Sequence, residues 1–584
     1  MSIASEITRL QRAKSDLKTA IGNKGVTVPS SAKLDDYADY VDLIQTGGGG
    51  SSGSVKFIDY DGTILHSYSA SEFANLTEMP ANPTHTGLIS QGWNWTLADA
   101  KAQMVAQPDD TLMIGQMYVT DDGKTRIYIS LVDSTRLSPY LGIYPNGTVV
   151  VDWGDNTATD TLIGTSLTNI QRVQHTYAST GDYVITLTAT SGSFCINGSD
   201  TNDNGSYLLT RTTEIVGSQR AYQNAIRKVE LGSNALLDYC SFKYCYSLTS
   251  ITIPSSVTTI GSSAFQFCYS LASITIPSDV TRIGGYAFQS CNSLTSITIP
   301  SGVTSIDTYA FQYCYSLTSI TIPSGVTSIG AYAFPYCTSL TNITIPSGIT
   351  SITTSVFSNC RSLTSITIPS SVTSIGNYAF QNCLSLTNIT IPSGVTSIGN
   401  YAFQSCYSLT NITIPSSVTS IGTYAFQFCY SLPSITIPSN VTSIGIYAFH
   451  TCRSLTSITI PSSVTSIGNY AFYSCNSFTS ITIPSSVTSI GNCAFQYCDS
   501  LASITIPSNV TSIGTQAFYG CNGIAEYHFL PTAPPTLANK NAFTGILADC
   551  KIYVPYSADH SVLEAYQTAS NWSTYASYMV EESP

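Results

Sequence analysis

Residues 362–383 read SLTSITIPSSVTSIGNYAFQNC, and closely similar text returns every 23 residues from about residue 241 to residue 521. The apolar residues occupy equivalent positions in each unit. Here they are Leu363, Ile366 and Ile368, in a Leu-x-x-Ile-x-Ile spacing, followed by a valine, an isoleucine, an Ala-Phe pair and a cysteine. A fixed period of about 20–29 residues around such a core predicts a solenoid in which each repeat forms one coil.

The energetics of one repeat explain why the apolar residues vary so little between repeats. About six large apolar side chains stabilise one coil by roughly 9–18 kcal/mol when they are buried. Ordering the backbone of one repeat costs on the order of 25–45 kcal/mol. A single repeat is therefore unfolded, and stability accumulates only when each coil packs against a copy of itself.

Composition excludes several classes of protein. The chain has 584 residues, a formal charge of −12 and 10% charged residues, so several domains are expected. It contains no basic stripe, and nucleic acid is therefore not expected as a partner. Because no run of 18 apolar residues occurs, membrane insertion is not expected either.

Seventeen cysteines could indicate disulfides or metal sites, but their spacing argues against both. Thirteen follow the repeat from Cys245 to Cys521, no CxxC pair occurs, and no histidine stands at ligand spacing. We predict that they are small buried core residues, with no metal site and no cofactor. The remaining four receive no chemical role: Cys195, Cys240, Cys493 and Cys550.

The rest of the chain predicts small β domains around the solenoid, which gives a mainly β multidomain protein. A broken a/d stripe in residues 1–46 predicts a helical hairpin for attachment or oligomerisation, and the Gly/Ser run that follows predicts a flexible linker. Alternating apolar residues and turn signals predict β structure up to the repeats. The predicted boundaries are 1–46 helical, 47–54 linker, 55–141 small β region, 142–192 second β domain, 193–240 N-terminal cap, 241–523 solenoid and 524–584 C-terminal cap.

The variable positions of the repeat hold the candidate ligand-contact residues. The position after the periodic cysteine changes from unit to unit and is expected to face solvent at a corner of the coil. Exposed tyrosine and arginine are common in binding interfaces. An alternative is relaxed packing without selection for contact. The candidate ligand-binding residues are Tyr269, Tyr315, Arg361, Tyr407, Tyr430 and Arg453.

The threonine between the two isoleucines, Thr367 in the quoted unit, is predicted to point away from the core in every unit. Strand propensity and favourable cross-strand threonine pairs explain it. A flat threonine ladder that orders water, as in ice binding, is the less favoured interpretation.

No catalytic constellation is found within the repeats. The acids between Cys245 and Cys521 are Asp279, Asp307 and Asp499, and they occupy different places in their units. A paired-carboxylate glycosidase site is therefore not expected, and Asp279 is predicted to form a surface ion pair with its neighbour Arg282. The chain is predicted not to be an enzyme.

The unit LTSITIPSSVTSIGNYAFQNC resembles the BspA-type leucine-rich repeats of bacterial surface proteins, and IYVPYSADHSVLEAYQTASNWSTY at 552–575 is similar to the endings such proteins carry. This resemblance implies a leucine-rich-repeat solenoid, an adhesive role and no catalytic residues. VVVDWGDNTATD with HTY and GDYVITLT resembles a PKD-type immunoglobulin-like domain, in which Trp153 and His175 would be structural residues. FIDYDGTILHSY with GLISQGWNW is similar to β-grasp repeats of bacterial surface proteins.

The opening SEITRLQRAKSDLKTAIGNKGVTVPSSAKLDDYADYVDLI resembles the start of gut bacteriophage tail and fibre proteins. It implies a virion appendage attached to other tail proteins through residues 1–46, as a homo-oligomer such as a trimer. The absence of an apolar segment typical of secretion signals agrees with assembly in the host cytoplasm.

The leading hypothesis is therefore a non-enzymatic, virion-borne receptor-binding protein that displays its solenoid to a glycan or protein on the bacterial surface. The alternatives are a BspA-like adhesin of the bacterial cell surface and a structural spacer within the virion.

Overall fold

The computed structural model describes residues 54–58, 63–76, 78–80, 88–93, 97–106, 111–120, 122–196, 208–210 and 224–583. The predicted helical segment 1–46 and nearly all of the linker 47–54 lie outside the described residues. The described chain is mainly β, with a long solenoid preceded by small β domains, so the predicted fold class is confirmed. It divides into two compact units, Met1–Asp122 and Gly123–Pro584.

The first unit contains one mixed sheet and two short helices. The sheet order is β2-β1-β4-β3, in which the β1–β4 pair is parallel and the other pairs are antiparallel. Phe57 and Phe73 are fully buried in its core. Ser69 caps the first helix through a capping box with Glu72. The elements are β1 Ser54–Ile58, β2 Ile64–Ser69, α1 Ala70–Ala74, β3 Leu88–Trp93, α2 Leu97–Ala106 and β4 Thr111–Thr120.

The second unit begins with a β domain whose sheet continues into the solenoid. Strand β5 pairs antiparallel with β11, and β11 pairs in parallel with the first solenoid strand, Ser250–Thr252. The solenoid sheet is thus paired at its N-terminal end rather than left open, which removes an aggregation-prone edge. The strands are β5 Thr125–Leu131, β6 Tyr140–Asp152, β7 Asp160–Thr165, β8 Gln171–Gln174, β9 Gly181–Cys195, β10 Leu209–Thr210, β11 Ile226–Glu230 and β12 Ala235–Leu236.

The Trp-Gly-Asp and His-Thr-Tyr residues meet within this β domain. The His175 ring stacks on Trp153 at 4.7 Å, and His175 Nε2 lies 2.7 Å from Asp155 Oδ2. The Tyr177 hydroxyl donates to the Trp153 carbonyl at 3.1 Å, and Trp153 Nε1 donates to Asp160 at 2.7 Å. These contacts give the motif a structural role, and its PKD-type assignment stays a prediction.

Each 23-residue repeat forms one coil, and the coils stack through two ladders of short parallel strands. The isoleucines face inward, and the stacking is in register because Ile366 pairs with Ile389, its equivalent one coil on. In the first ladder the strands are Ser250–Thr252, Ser296–Thr298, Ser319–Thr321, Asn342–Thr344, Ser365–Thr367, Asn388–Thr390, Asn411–Thr413, Ser434–Thr436, Ser457–Thr459, Ser480–Thr482 and Ser503–Ile506. In the second they are Thr259–Ile260, Arg282–Ile283, Ser305–Ile306, Ser328–Ile329, Ser351–Ile352, Ser374–Ile375, Ser397–Ile398, Ser420–Ile421, Ser443–Ile444, Ser466–Ile467, Ser489–Ile490, Ser512–Ile513 and Thr536–Leu537.

The third side of each coil is turn-like and uses left-handed backbone. Tyr378 and Asn382 have φ values of 58° and 57°, and the Phe380 amide between them donates to the Ala402 carbonyl of the next coil at 2.8 Å. The preceding Gly376 allows two coils to approach closely, since a Cβ there would lie 2.8 Å from the Thr354 nitrogen.

The core of the solenoid is a continuous stack of repeated side chains. Adjacent phenylalanine rings are near-parallel, as for Phe380 and Phe403 at 5.3 Å. Each thiol of the 23-residue series from Cys268 to Cys521 lies beside a backbone carbonyl of the preceding coil, and the Cys383 thiol donates to the Phe357 carbonyl at 3.3 Å. All seventeen cysteines are free and buried, which confirms the prediction that the thirteen periodic cysteines are core residues.

The C-terminal cap closes the other end of the stack. Trp572 is fully buried, lies 5.5 Å from the Phe543 ring, and donates from Nε1 to the Pro535 carbonyl at 2.7 Å. In this cap a strand is followed by a helix, and a short 3-10 helix and a further strand come after them. The elements are the strands Glu526–Phe529, Lys551–Val554 and Met579–Glu581, the helix α3 Ser561–Thr568 and the 3-10 helix Ser573–Tyr578.

Candidate binding surface of the solenoid

The candidate contact residues stand at a corner of the coil, directly after the buried cysteine. At one such corner the Leu409 amide donates to the Cys406 carbonyl at 3.1 Å, and the Ser408 amide donates to the Leu384 carbonyl of the preceding coil at 3.2 Å. This turn directs the intervening Tyr407 outward, where 38% of its surface is exposed. Tyr269 and Tyr315 occupy the same corner, at 40% and 41% exposure.

Three of the predicted residues form one contiguous patch on successive coils. The rings of Tyr407 and Tyr430 stack at 4.7 Å, and the Arg453 guanidinium lies 4.9 Å from the centre of the Tyr430 ring. We call Tyr407, Tyr430 and Arg453 the 407–453 patch. It offers two stacked aromatic rings beside a positive charge, a combination suited to contact with sugars or proteins.

The other predicted residues lie elsewhere along the same corner. Tyr269 stacks on Tyr246 at 4.8 Å, and Tyr315 lies 5.9 Å from Tyr313. Burial, followed by neighbouring tyrosines, raises the pKa of both Tyr269 and Tyr315 above the usual value. Arg361 is exposed two coils beyond Tyr315 and four coils beyond Tyr269. The structure therefore distributes the six residues along the solenoid instead of gathering them into one site.

A second row of tyrosines precedes the Ala-Phe pair. The rings stack from Tyr286 to Tyr332 and again from Tyr378 to Tyr470, with centroids 4.4 to 4.8 Å apart. Ser355 interrupts the row. Because the ring faces are covered by their neighbours, this row presents mainly ring edges and hydroxyl groups.

The strand face of the first ladder is hydroxyl-rich and regular. Thr367 and its equivalents point away from the core and are exposed in nearly all coils, as predicted. The preceding threonine row is tied to the backbone, since Thr364 Oγ1 donates to the Thr341 carbonyl at 3.2 Å. Such hydrogen bonds between coils give the threonine row of Thr364 a structural role.

An ion pair links two successive coils near the start of the solenoid. Arg282 pairs with Asp307 of the next coil, so the predicted pair with Asp279 is wrong. Asp307 follows by two residues Ser305, which is the partner of Arg282 across the second ladder. No group of three or more His, Cys, Asp or Glu side chains that could hold a metal occurs in the part of the chain that the structure describes. Burial raises the pKa of the Cys360 thiol to about 12, so this thiol is protonated at neutral pH.

Sequence reasoning missed two features of the surface. The Arg453–Tyr430 contact has a sequence signal, because residues 23 apart at one corner are neighbours. A cavity near Tyr269, lined also by Arg136 and Arg227, has no comparable signal because its residues come from non-repeating parts of the chain.

Parallel coils with two strand ladders and a stacked Leu/Ile/Phe interior define a leucine-rich-repeat solenoid. The profile of the BspA type leucine rich repeat region matches in six copies, at residues 234–364, 352–478 and 419–547. These matches cover more than half of the chain, and the protein therefore belongs to the BspA-type leucine-rich-repeat family.

Several solved structures are similar. A leucine-rich repeat protein from Bacteroides ovatus ATCC 8483 has 29% identity and a TM-score of 0.53, over 64% of this chain and 98% of that chain. A leucine rich cell surface protein from Faecalibacterium prausnitzii A2-165 has 32% identity and a TM-score of 0.34, over 55% and 86%. The pneumococcal vaccine antigen PcpA has 22% identity and a TM-score of 0.37, over 53% and 86%. No curated protein matches the chain.

Among the described residues, no helix has both the length and the apolar character needed to cross a membrane.

Proposed function

We propose that this chain is a non-enzymatic adhesion protein of the bacterial cell surface, whose solenoid binds glycans or proteins on a partner surface. The observation that carries the proposal is the 407–453 patch, in which the half-buried Tyr430 lies between the exposed Tyr407 and Arg453. Membership of the BspA-type family supports an adhesive role. Repetition of similar corners along the stack favours many weak contacts over one tight site.

The experiment compares adhesion of the full chain and of two matched triple variants to immobilised cells. In one variant Tyr407, Tyr430 and Arg453 become alanine. In the other Thr344, Thr367 and Thr390 become alanine, three exposed residues on successive coils of the strand face. We expect the first variant to reduce adhesion at least about tenfold, since hot-spot aromatic and arginine side chains each contribute about 1 kcal/mol or more. Equal loss in the second variant, or none in the first, would contradict the proposal.

The second candidate function is that of a phage virion protein that carries the solenoid. It is favoured by the resemblance of residues 1–46 to the start of phage tail and fibre proteins. In this version those residues attach the chain to other tail proteins, as a homo-oligomer such as a trimer, and the solenoid contacts the bacterial host. Antibody against residues 123–584 would label purified phage particles in electron micrographs in this case, and intact bacterial cells in the first.

A spacer role within either assembly is the remaining alternative. It predicts that the isolated full chain binds no cells at all, while its removal prevents assembly or display of a separate binding protein.

A further inference from the structure

A concave site lies at the junction between the β domain of the second unit and the first coils of the solenoid. Its volume is about 490 Å³, within the size range of small-molecule pockets. Strand β5 and the residues that follow it form one wall, and strand β11 with the first two corners forms the other. The lining side chains that matter are Asp133, Arg136, Arg227, Tyr246, Ser247 and Tyr269.

The cavity carries positive charge in an acidic protein. Asp133 neutralises Arg136, since its Oδ2 lies 3.1 Å from Arg136 Nε. No carboxylate pairs with Arg227 among the residues that the structure describes, and the chain as a whole has a formal charge of −12. A guanidinium group of this kind recognises a carboxylate through two parallel hydrogen bonds. The charge therefore favours an anionic ligand.

The aromatic wall of the cavity is held rigidly. Tyr246 and Tyr269 are near-parallel at 4.8 Å. Their edges pack on Tyr244 and Phe267 at 6.0 and 6.2 Å, and these two rings stack on each other at 5.0 Å. A preformed aromatic surface binds at little cost in side-chain entropy. Because the two rings stack on each other, they present ring edges and hydroxyl groups, which together with the Ser247 hydroxyl suit the hydroxyl groups of a pyranose ring.

We propose that this cavity binds a carboxylated sugar, with its carboxylate on Arg227 and its ring against Tyr246 and Tyr269. The inference deepens the proposed adhesive function, on which it rests, by naming the class of ligand as an acidic glycan. It also adds a site separate from the 407–453 patch.

The test measures binding of D-glucuronic acid and N-acetylneuraminic acid to the full chain by ligand-observed NMR, with D-glucose and acetate as comparison probes. We expect both acidic sugars to bind. Glucose lacks the carboxylate and acetate lacks the sugar ring, so each should bind at least about tenfold more weakly. Arg227→Gln and Tyr269→Ala should each weaken acidic-sugar binding about tenfold or more.

Matched controls come from the C-terminal cap, at the other end of the solenoid. Tyr556→Ala and Lys540→Gln remove an exposed tyrosine and an exposed positive charge, and both should leave acidic-sugar binding unchanged. Melting curves would show whether each variant remains folded.

Four results would overturn the proposal. In the first two, acetate or glucose binds as tightly as the acidic sugars. In the third, the control variants weaken binding as much as the cavity variants. In the fourth, neither acidic sugar binds. Adhesion of the full chain without acidic-sugar binding would refute this site alone. Sugar binding without adhesion to any cell would refute the proposed adhesive function and leave the site standing.

Discussion

At position 450 a histidine replaces the glutamine that stands in several other coils. Gln404 donates to Gln427 at 2.5 Å, but Gln427 meets the ring of His450 at a longer 3.4 Å. The His450 ring is stacked on Tyr473 at 4.6 Å and is half-buried. Burial lowers the pKa of His450 to about 4, so the folded protein holds this side chain neutral.

His450→Gln is expected to remove a pH-dependent loss of stability. Between pH 6.5 and 4 the unfolded chain protonates this histidine while the folded chain does not, so the wild type loses stability as pH falls through that window. The loss is on the order of 2–3 kcal/mol at pH 4. Guanidinium midpoints at pH 7.5 and pH 4 should differ less in the variant. Parallel pH curves for the two proteins would contradict the assignment.

The thiols give a second prediction at this scale. All seventeen cysteines are buried and free, and burial raises the pKa of the Cys475 thiol to about 12. Native protein should therefore react with almost none of its thiols in a colorimetric thiol assay at pH 8, whereas unfolded protein should react with all 17. Rapid reaction of many thiols in the native state would show that the core is open.

At the scale of the element, one coil is stabilised by contact with its two neighbours. Phe380 is fully buried and lies 5.7 Å from the Phe357 ring and 5.3 Å from the Phe403 ring. The left-handed residues Tyr378 and Asn382 flank it, and such backbone costs roughly 1–2 kcal/mol for a residue with a side chain. Packing across the coil interface must offset that cost in every repeat.

Phe380→Ala should lower the free energy of unfolding by about 3–5 kcal/mol, because it opens a void between two ring neighbours. Arg361→Ala, at an exposed position of the same repeat, is the control and should change it by less than about 0.5 kcal/mol. Guanidinium denaturation followed by circular dichroism gives both values. A similar small effect of the two variants would mean that the stack is not the main source of stability.

At the scale of the whole molecule, the period of the sequence is also the period of the structure. Residues 384–406 make up one complete repeat, and their removal would join Cys383 to Tyr407 with every inward position still in register. We expect this deletion to fold with nearly unchanged cooperativity, because each coil interface is equivalent to the next. Deletion of residues 384–403 shifts the register by three positions and should abolish cooperative melting. Equal stability of the two variants would contradict the one-repeat-one-coil structure.

The β domain and the solenoid share one continuous core, from Ile127 to Met579. A fragment of residues 123–584 should therefore fold and melt as the full chain does. A fragment of residues 193–584 lacks β5 and most of β9, which leaves β11 as an open edge and uncovers Ile226 and Val229. It should aggregate, as measured by light scattering after gel filtration. A monodisperse, cooperatively melting 193–584 fragment would refute this dependence.

The sequence by itself determined the solenoid, its 23-residue period, the inward positions and the buried cysteines. A repeated coil has neighbours identical to itself, so contacts can be inferred from spacing alone. The tertiary structure decided how the β domain joins the solenoid, which partner Arg282 takes, and that Arg227 and Tyr269 line one cavity. These depend on contacts between segments far apart in a chain whose periodicity is lost there, and no local pattern specifies which strands will pair.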